Sequence, residues 1–210
     1  MKRAVRYILL LLVIALVGYK SVYFQKLSER KNKTAGNFDA AAFAKKLWET
    51  RLPARLDSAI ELPALISAIG TNPTEAFANY SNSMSIGNYR YSLVKVDGQV
   101  ESIGEDEIFL RVKAPGDTLI RVIMATEYIY GNAVRDASGL VNIKDFSGSD
   151  ELNNISEELN KEIRAHVLPA FKKLVKPGDR LALEGAIELN REHIRFNEIE
   201  IIPLRVKILP

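Results

Sequence analysis

From Tyr89 to its C-terminal end, the chain consists of short segments in which apolar and polar residues alternate, interrupted once by a helical pattern. Alternation with a period of two is typical of strands that bury one face. Because the helical pattern occurs only once among these segments, successive strands are not all joined by helices, and we predict the α+β class. The strand-like segments are 89–103, 107–112, 118–130, 176–190 and 193–209.

The helical pattern lies between the third and fourth strands. Apolar residues recur every three or four positions over residues 152–174, and Pro169 is expected to kink this helix. Three strands, a helix and two strands is the order of the five-stranded Greek-key barrel called the OB fold. Within the first strand, Asp97 and Gly98 predict either a tight hairpin turn or a bulge in one long, bent strand. We therefore expect residues 83–210 to form an OB-like antiparallel β-barrel domain.

Residues 37–82 have the pattern of helices, which we expect to pack on the barrel. Asn37 can cap a first helix, and Pro53 is expected to end it. A second apolar stripe ends at Gly70, a residue typical of helix C-termini. Asn72 precedes a proline and predicts the start of a third helix.

The first 24 residues combine basic residues with an apolar run, as signal sequences and membrane anchors do. The uncharged run over residues 7–18 becomes long enough to span a bilayer if it continues to Phe24. Bulky residues stand where a cleavage site needs small ones. We predict a retained single-pass anchor that contacts the membrane through residues 4–24, followed by a polar linker over 25–36. A cleaved signal peptide is the main alternative. A buried core helix is disfavoured, because basic residues precede a segment that would be apolar on almost all sides as a helix.

The charge is unevenly distributed along the chain. The first 34 residues hold eight of the 29 Lys and Arg but one of the 26 Asp and Glu, so the remainder carries a net charge of −4. A nucleic-acid-binding surface needs an excess of positive charge to displace counterions, and we therefore expect no nucleic-acid partner. The chain has no cysteine, which excludes disulfides, thiolate metal sites and a cysteine nucleophile.

Residues suited to catalysis are few. The two histidines are His166, in the long helix, and His193, between the last two strands. HExxH, a phosphate-binding glycine loop and a GxSxG elbow are all missing from the sequence. So few histidines disfavour a histidine-based metal site or catalytic triad. We expect no metal and no cofactor, and the sequence favours a protein without enzymatic activity.

A group of polar residues surrounds a glycine-containing turn after the third strand. Arg135, Asp136, Asn142 and Asp145 are the candidate binding residues. In one interpretation, Arg135 contacts an anion or a sugar hydroxyl and is oriented by Asp136 or Asp145. In another, Arg135 and Asp136 hold a loop by salt bridges and backbone hydrogen bonds, and residues 136–139 form a turn. The carboxylates of Asp136 and Asp145 also suit acid–base catalysis on a glycoside if they are separated by the distance that glycosidases require.

The segment from Gly131 to Phe146, GNAVRDASGLVNIKDF, resembles the bacterial predicted periplasmic lipoproteins called domain-of-unknown-function family 2291. The resemblance covers most of residues 19–210 and includes ELNKEI, KPGDRLALEGAIEL and IIPLRV. Members typically begin the mature chain with a lipid-bearing cysteine in the pattern Cys-Lys-x-Val, and here Tyr19 stands at the cysteine position. The resemblance implies an envelope protein of no established activity, encoded in some genomes near sugar-uptake ABC transporters.

Three functions are compatible with these features. The first is a non-enzymatic accessory or binding module, anchored in the bacterial inner membrane with its folded domain in the periplasm. Its partner would be a protein or a small carbohydrate, and the resemblance implies a link to sugar uptake. The second is an envelope hydrolase that uses Asp136 and Asp145, and the third is a purely structural tether. The predicted anchor, the mildly acidic folded part and the missing catalytic motifs favour the first.

Overall fold

The computed structural model describes residues 38–84 and 87–210, together with Tyr7, Ile8 and Leu11. The chain divides into two compact units, residues 1–38 and residues 39–210, and the second holds all the strands and helices given below. Among the described residues, no helix has the length and apolar character needed to cross a membrane. Apart from the three isolated residues, the predicted anchor over 1–24 and the linker over 25–36 lie outside the described residues and stay predictions.

The first helix continues through a proline at which it was expected to end. Its parts are α1 (Ala40–Lys46), a π-helical turn (Leu47–Arg51) and α2 (Leu52–Asp57). Asp39 caps α1 by accepting a hydrogen bond from the N–H of Ala42, two positions after the predicted cap at Asn37, which lies outside the described residues. The predicted stop at Pro53 is wrong, because this proline lies in the first turn of α2, where its missing N–H has no partner to lose.

Two further helices and a short strand complete the N-terminal part of this unit. The strand β1 (Ile60–Glu61) precedes α3 (Leu62–Thr71) and α4 (Pro73–Tyr80). The side chain of Asn72 accepts a hydrogen bond from the N–H of Glu75, which confirms the predicted cap of α4. Leu65, Ile69 and Phe77 are buried in the same core as the apolar side chains of the sheet.

The remaining strands form the sheet predicted from the alternating segments. They are β2 (Tyr89–Ile103), β3 (Glu107–Lys113), β4 (Leu119–Ala125), β5 (Arg180–Asn190) and β6 (Ile199–Leu209). Each of these five pairs with two others of the five, β2 with β3, β3 with β4, β4 with β6, β6 with β5 and β5 with β2. Among these pairs, only β4 and β6 run parallel. The parallel pairing of β1 with β2 makes the sheet six-stranded, one strand more than predicted.

Strand β2 is a single long strand, so the hairpin alternative is wrong. Its register against β3 shifts between Val100 and Ser102, which places the bulge beyond Gly98. A Cβ atom on Gly98 would lie 3.0 Å from Cγ2 of Val112, and this close approach explains the glycine.

Strand β4 ends at Ala125, five residues before the end of the predicted segment. The strict alternation of buried and exposed residues ends there too, because Ala125 and Thr126 are both buried and Tyr128 is exposed next to the buried Ile129. No strand of the described residues pairs with this stretch. The predicted strand was therefore five residues too long at this end, because burial beyond Ala125 no longer follows a period of two.

The stretch after β4 contains a helix in place of the predicted turn at residues 136–139. Helix α5 (Ala133–Ser138) is buried along its whole length, and Gly139 ends it in the left-handed conformation with φ of 61°. A six-residue helix has little stability by itself, so tertiary contacts must hold it. A 3₁₀ turn (Ile143–Asp145) follows.

The long helix predicted between the third and fourth strands of the barrel is present. It consists of α6 (Ser149–Glu162), a π-helical turn (Ile163–Val167) and α7 (Leu168–Lys172). The expected disturbance at Pro169 takes the form of this π turn, because the proline again lies in the first turn of the helix that follows.

Candidate functional site

Arg135 and Asp136 lie buried side by side in α5, with 7% and 2% of their surfaces exposed. Nε of Arg135 donates a hydrogen bond to Oδ1 of Asp136 at 2.7 Å, and Nη1 donates to the carbonyl of Leu152 at 3.0 Å. Nδ2 of Asn132 donates to Oδ2 of Asp136 at 2.6 Å. Both carboxylate oxygens of Asp136 are thus occupied, and the charge of Arg135 is balanced. This arrangement disfavours Asp136 as a catalytic acid or base.

Helix α5 is held in place from the N-terminal helical part of the unit. Nδ2 of Asn82 donates to the carbonyl of Ala137 at 3.0 Å, and Nε of Arg55 donates to the carbonyl of Ser138 at 2.9 Å. Carbonyls at a helix end have no partner within the helix, so these two donors satisfy groups that would otherwise be buried unpaired. Residues far apart in sequence therefore determine where Arg135 lies.

A polar contact links α5 to the sheet. The phenol of Tyr91, on β2, contacts the side chains of Asn132 and Glu188. Burial raises the pKa of Tyr91, and Glu188 raises it further, while the hydrogen bond with Asn132 lowers it. With a pKa above its ordinary value, the phenol is protonated at neutral pH and stabilises the position of Asn132.

The other two predicted site residues lie elsewhere. Asn142 is exposed and uses its Oδ1 to accept a hydrogen bond from the N–H of Lys144, which caps the 3₁₀ turn. Asp145 is exposed in the same turn. The structure therefore brings together Arg135 and Asp136, but it does not place Asn142 or Asp145 among the groups that contact them.

A polar groove of about 420 Å³ opens beside Arg135, between α5 and α6. This volume lies in the range of small-molecule sites. Five of its polar lining residues were not predicted, although four of them recur on α6 at the spacing of one helix face. That polar stripe, parallel to the buried apolar one, is the signal that could have indicated them. The groove is lined by Gly131, Asn132, Arg135, Asn153, Ser156, Glu157 and Asn160.

Two nearly buried side chains of the groove keep hydrogen-bonding atoms without a partner. Asn160 is 2% exposed, and its Nδ2 donates to the carbonyl of Gly131 at 3.0 Å. Within the described residues, no group donates a hydrogen bond to its Oδ1. Nη2 of Arg135 likewise donates no hydrogen bond to these residues. Neither atom is among the fully buried, unpaired atoms of the described residues, so both are open to solvent and suit a ligand that both donates and accepts.

The groove carries almost no net charge. Arg135 is paired with Asp136, and Nη2 of Arg164 lies 2.8 Å from the carboxylate of Glu157. The remaining polar lining residues are neutral amides and a hydroxyl. Within the described residues, no three His, Asp or Glu side chains are grouped closely enough to hold a metal ion. The arrangement therefore fits a neutral, hydrogen-bonding ligand better than an anion or a cation.

A second groove, of about 560 Å³, lies where α4 meets the start of β2 and the end of β5. Its polar lining residues are exposed or half-buried, and its buried floor is the ring of Phe77. Nη1 of Arg90 donates there to the carbonyls of Gly87 and Tyr89, both at 2.8 Å. Because no polar side chain that lines this groove is buried, the second groove is the weaker candidate for a specific site.

The sheet order, the helix between its fourth and fifth strands and the groove beside that helix define an OB-fold protein with a candidate ligand site. The chain belongs to the DUF2291 family, described as "Predicted periplasmic lipoprotein", whose model matches residues 12–207. The resemblance inferred from the sequence is thereby confirmed. The family is one of periplasmic proteins, and its description assigns no activity.

Solved structures support the fold. An OB-fold protein from Thermotoga maritima MSB8 is 23% identical, with a TM-score of 0.71, and the match covers 82% of this chain and 99% of that chain. At this identity the likeness establishes the fold and no activity. No curated protein matches the chain in sequence.

Two further structures match with TM-scores too low to support an argument. OBody NL8 bound to hen egg-white lysozyme is 16% identical, with a TM-score of 0.29 and coverage of 57% of this chain and 94% of that chain. The S. pombe Stn1–Ten1 complex is 14% identical, with a TM-score of 0.28 and coverage of 63% and 67%.

Proposed function

We propose that this protein is a non-enzymatic binding module of the cell envelope that binds a small, neutral carbohydrate in the groove between α5 and α6. The observation that carries the proposal is the pair of unpartnered polar atoms on nearly buried side chains, Oδ1 of Asn160 and Nη2 of Arg135. A sugar hydroxyl both donates and accepts hydrogen bonds, so it satisfies either atom. This ligand class agrees with the sugar-uptake context that the family resemblance implies.

The balance of charge argues against anionic ligands. A phosphate or carboxylate would find Arg135 already paired with Asp136, and it would meet the carboxylate of Glu157 in the same groove. A buried charge without a counter-charge is costly, whereas a neutral polyol needs only hydrogen bonds. The hydrolase hypothesis receives less support, because both oxygens of Asp136 are occupied and Asp145 does not line the groove.

The test uses two adjacent asparagines on α6. Asn153 lines the groove and Asn154 does not, and both side chains are exposed, so neither substitution disturbs the core. The full-length protein is titrated calorimetrically with glucose, galactose, mannose, ribose and xylose. We expect Asn153→Ala to weaken binding by about tenfold, which corresponds to about 1.4 kcal/mol, and Asn154→Ala to leave it unchanged.

Three results would contradict the proposal. These are the absence of binding across the panel and the related disaccharides, an equal effect of both asparagine substitutions, and turnover of a glycoside that Asp136→Asn abolishes while circular dichroism shows the variant still folded. The last result would establish the hydrolase instead. A binding protein that acts as a simple receptor shows saturable binding without release of product.

We also propose that the N-terminal apolar segment is retained and holds the domain at the outer face of the inner membrane. Tyr19 stands where the family pattern has its lipid-bearing cysteine, and a chain without cysteine has no thiol to acylate. Lys20 and the aromatic residues after it suit the interfacial end of a membrane helix. Mass spectrometry of the protein from membranes should find the uncleaved chain, and a mature chain that begins after Gly18 would overturn this part.

A further inference from the structure

Two exposed tyrosines lie next to the polar groove. Tyr128 and Tyr130 are each 62% exposed, and their rings stack with centroids 6.2 Å apart and an interplanar angle of 29°. Ile129 between them is fully buried, and the guanidinium of Arg164 donates a hydrogen bond to its carbonyl. The backbone that carries the two rings is therefore anchored at Ile129, and the stacked rings form one exposed aromatic surface.

A polar stripe on α6 and the π turn connects the groove to this aromatic surface. Asn153, Glu157, Asn160 and Arg164 are spaced by four, three and four residues, which places them on one helix face. With a rise of 1.5 Å per residue, the stripe is about 16 Å long. At its far end the guanidinium of Arg164 lies 5.9 Å from the ring centroid of Tyr130, which immediately precedes Gly131 in the groove wall.

We infer that the site binds at least two linked sugar rings, the first in the groove and the second on the Tyr128–Tyr130 surface. A pyranose ring has an apolar C–H face and a polar edge, and an aromatic ring beside a guanidinium offers the matching pair of surfaces. The two stacked rings form one exposed apolar patch, and exposed apolar patches with a polar rim are often binding sites. The inference rests on the proposed function, because it extends the same groove.

The experiment compares single and linked rings on the same variants. Full-length protein is titrated with glucose, maltose and cellobiose, and with mannose and α-1,2-mannobiose. We expect at least one disaccharide to bind about tenfold or more tighter than its monosaccharide. Tyr128→Ala and Tyr130→Ala should remove that gain and leave monosaccharide affinity unchanged, whereas Asn153→Ala should weaken both ligands.

Two further variants separate the ring surface from other effects. Tyr130→Phe keeps the aromatic face and should retain the disaccharide affinity. Tyr89→Ala removes an exposed tyrosine at the start of β2 and should change nothing. The inference would be overturned by equal affinities for single and linked rings, or by tyrosine variants without effect. The groove proposal would then still stand, and the tyrosines would belong to another contact, such as a protein partner. If no sugar binds at all, the proposed function and this inference both fall.

Discussion

Arg135 and Asp136 are consecutive in the chain, yet their side chains form a buried ion pair with an Nε–Oδ1 distance of 2.7 Å. Neighbouring residues of a helix do not normally face each other. The pair forms because the Leu152 carbonyl and the Asn132 amide hold the guanidinium and the carboxylate from opposite sides. Its geometry therefore depends on the packing of α5 against α6.

We expect Asp136→Asn to lower the free energy of unfolding by about 3–5 kcal/mol, because it leaves the buried guanidinium of Arg135 without a counter-charge. Urea unfolding followed by circular dichroism measures the change. Asp145→Asn, at an exposed position, should stay within about 0.5 kcal/mol of the parent protein. Similar losses in both variants would show that the ion pair has no special role in stability.

The neutral groove predicts that sugar binding is insensitive to ionic strength. Salt screens the attraction between separated charges, but it has little effect on hydrogen bonds between neutral groups. Calorimetric titrations at about 50 mM and about 500 mM NaCl should give dissociation constants within a factor of about two. A steep loss of affinity at high salt would indicate a charged ligand group and contradict the assignment of a neutral one.

Three carboxylates of the sheet, on β3, β5 and β6, predict a pH-dependent stability. Burial raises the pKa of Glu200 above its ordinary value of 4.5, and the charges of Glu107 and Glu188 raise it further. The folded protein binds this proton more tightly than the unfolded chain does, so stability falls as the pH rises from 4.5 through the raised pKa.

Glu200→Gln removes this penalty. We expect the Tm at pH 7 to rise by about 1–3 °C, a small gain because much of the side chain is in water, and the difference to disappear below pH 4.5. Thermal unfolding at both pH values measures it, with Glu198→Gln, an exposed carboxylate just before β6, as the control. A gain that persists in acid would have to come from a cause other than ionisation.

Two glycines should respond to alanine with opposite signs. A Cβ atom at Gly185 would lie 2.4 Å from the carbonyl oxygen of Ile202, so the pairing of β5 with β6 would have to shift. We expect Gly185→Ala to cost about 2–3 kcal/mol of unfolding free energy. Gly70 lies in α3, where an added methyl group would meet no neighbouring side chain or strand within 4 Å, and Gly70→Ala should gain about 0.5–1 kcal/mol. Urea unfolding measures both changes, and we expect the denaturant midpoint of Gly185→Ala below that of the parent protein and the midpoint of Gly70→Ala above it.

Much of the fold was predictable because it follows from local periodicity. The five alternating segments and the long helix are all present, in the order that indicated the OB fold. The errors occur where a local signal had two physical outcomes. Pro53 was expected to end a helix, but a proline is equally acceptable in the first turn of the next one. The third strand was expected to reach Tyr130, but it ends at Ala125, and no strand of the described residues pairs with the five residues beyond.

The candidate site was predictable only in part. Arg135 and Asp136 attracted attention as adjacent opposite charges beside a glycine, and the structure places both at one buried position. Asn142 and Asp145 shared the same sequence segment, but the chain turns them outward. Asn160 was not predicted, because its importance comes from packing next to the residues around Gly131, 29 positions earlier in the chain.

The order of the five long strands and the long helix, the family and the lack of thiol chemistry follow from the sequence alone, because they depend on residue types and on spacings within one element. That residues 133–138 form a helix, and that a neutral groove opens beside it, follows only from the tertiary packing. A helix of six residues exists only where neighbours bury it and satisfy its ends. The groove needs two elements to meet, and periodicity records which face of an element is buried but not what covers it.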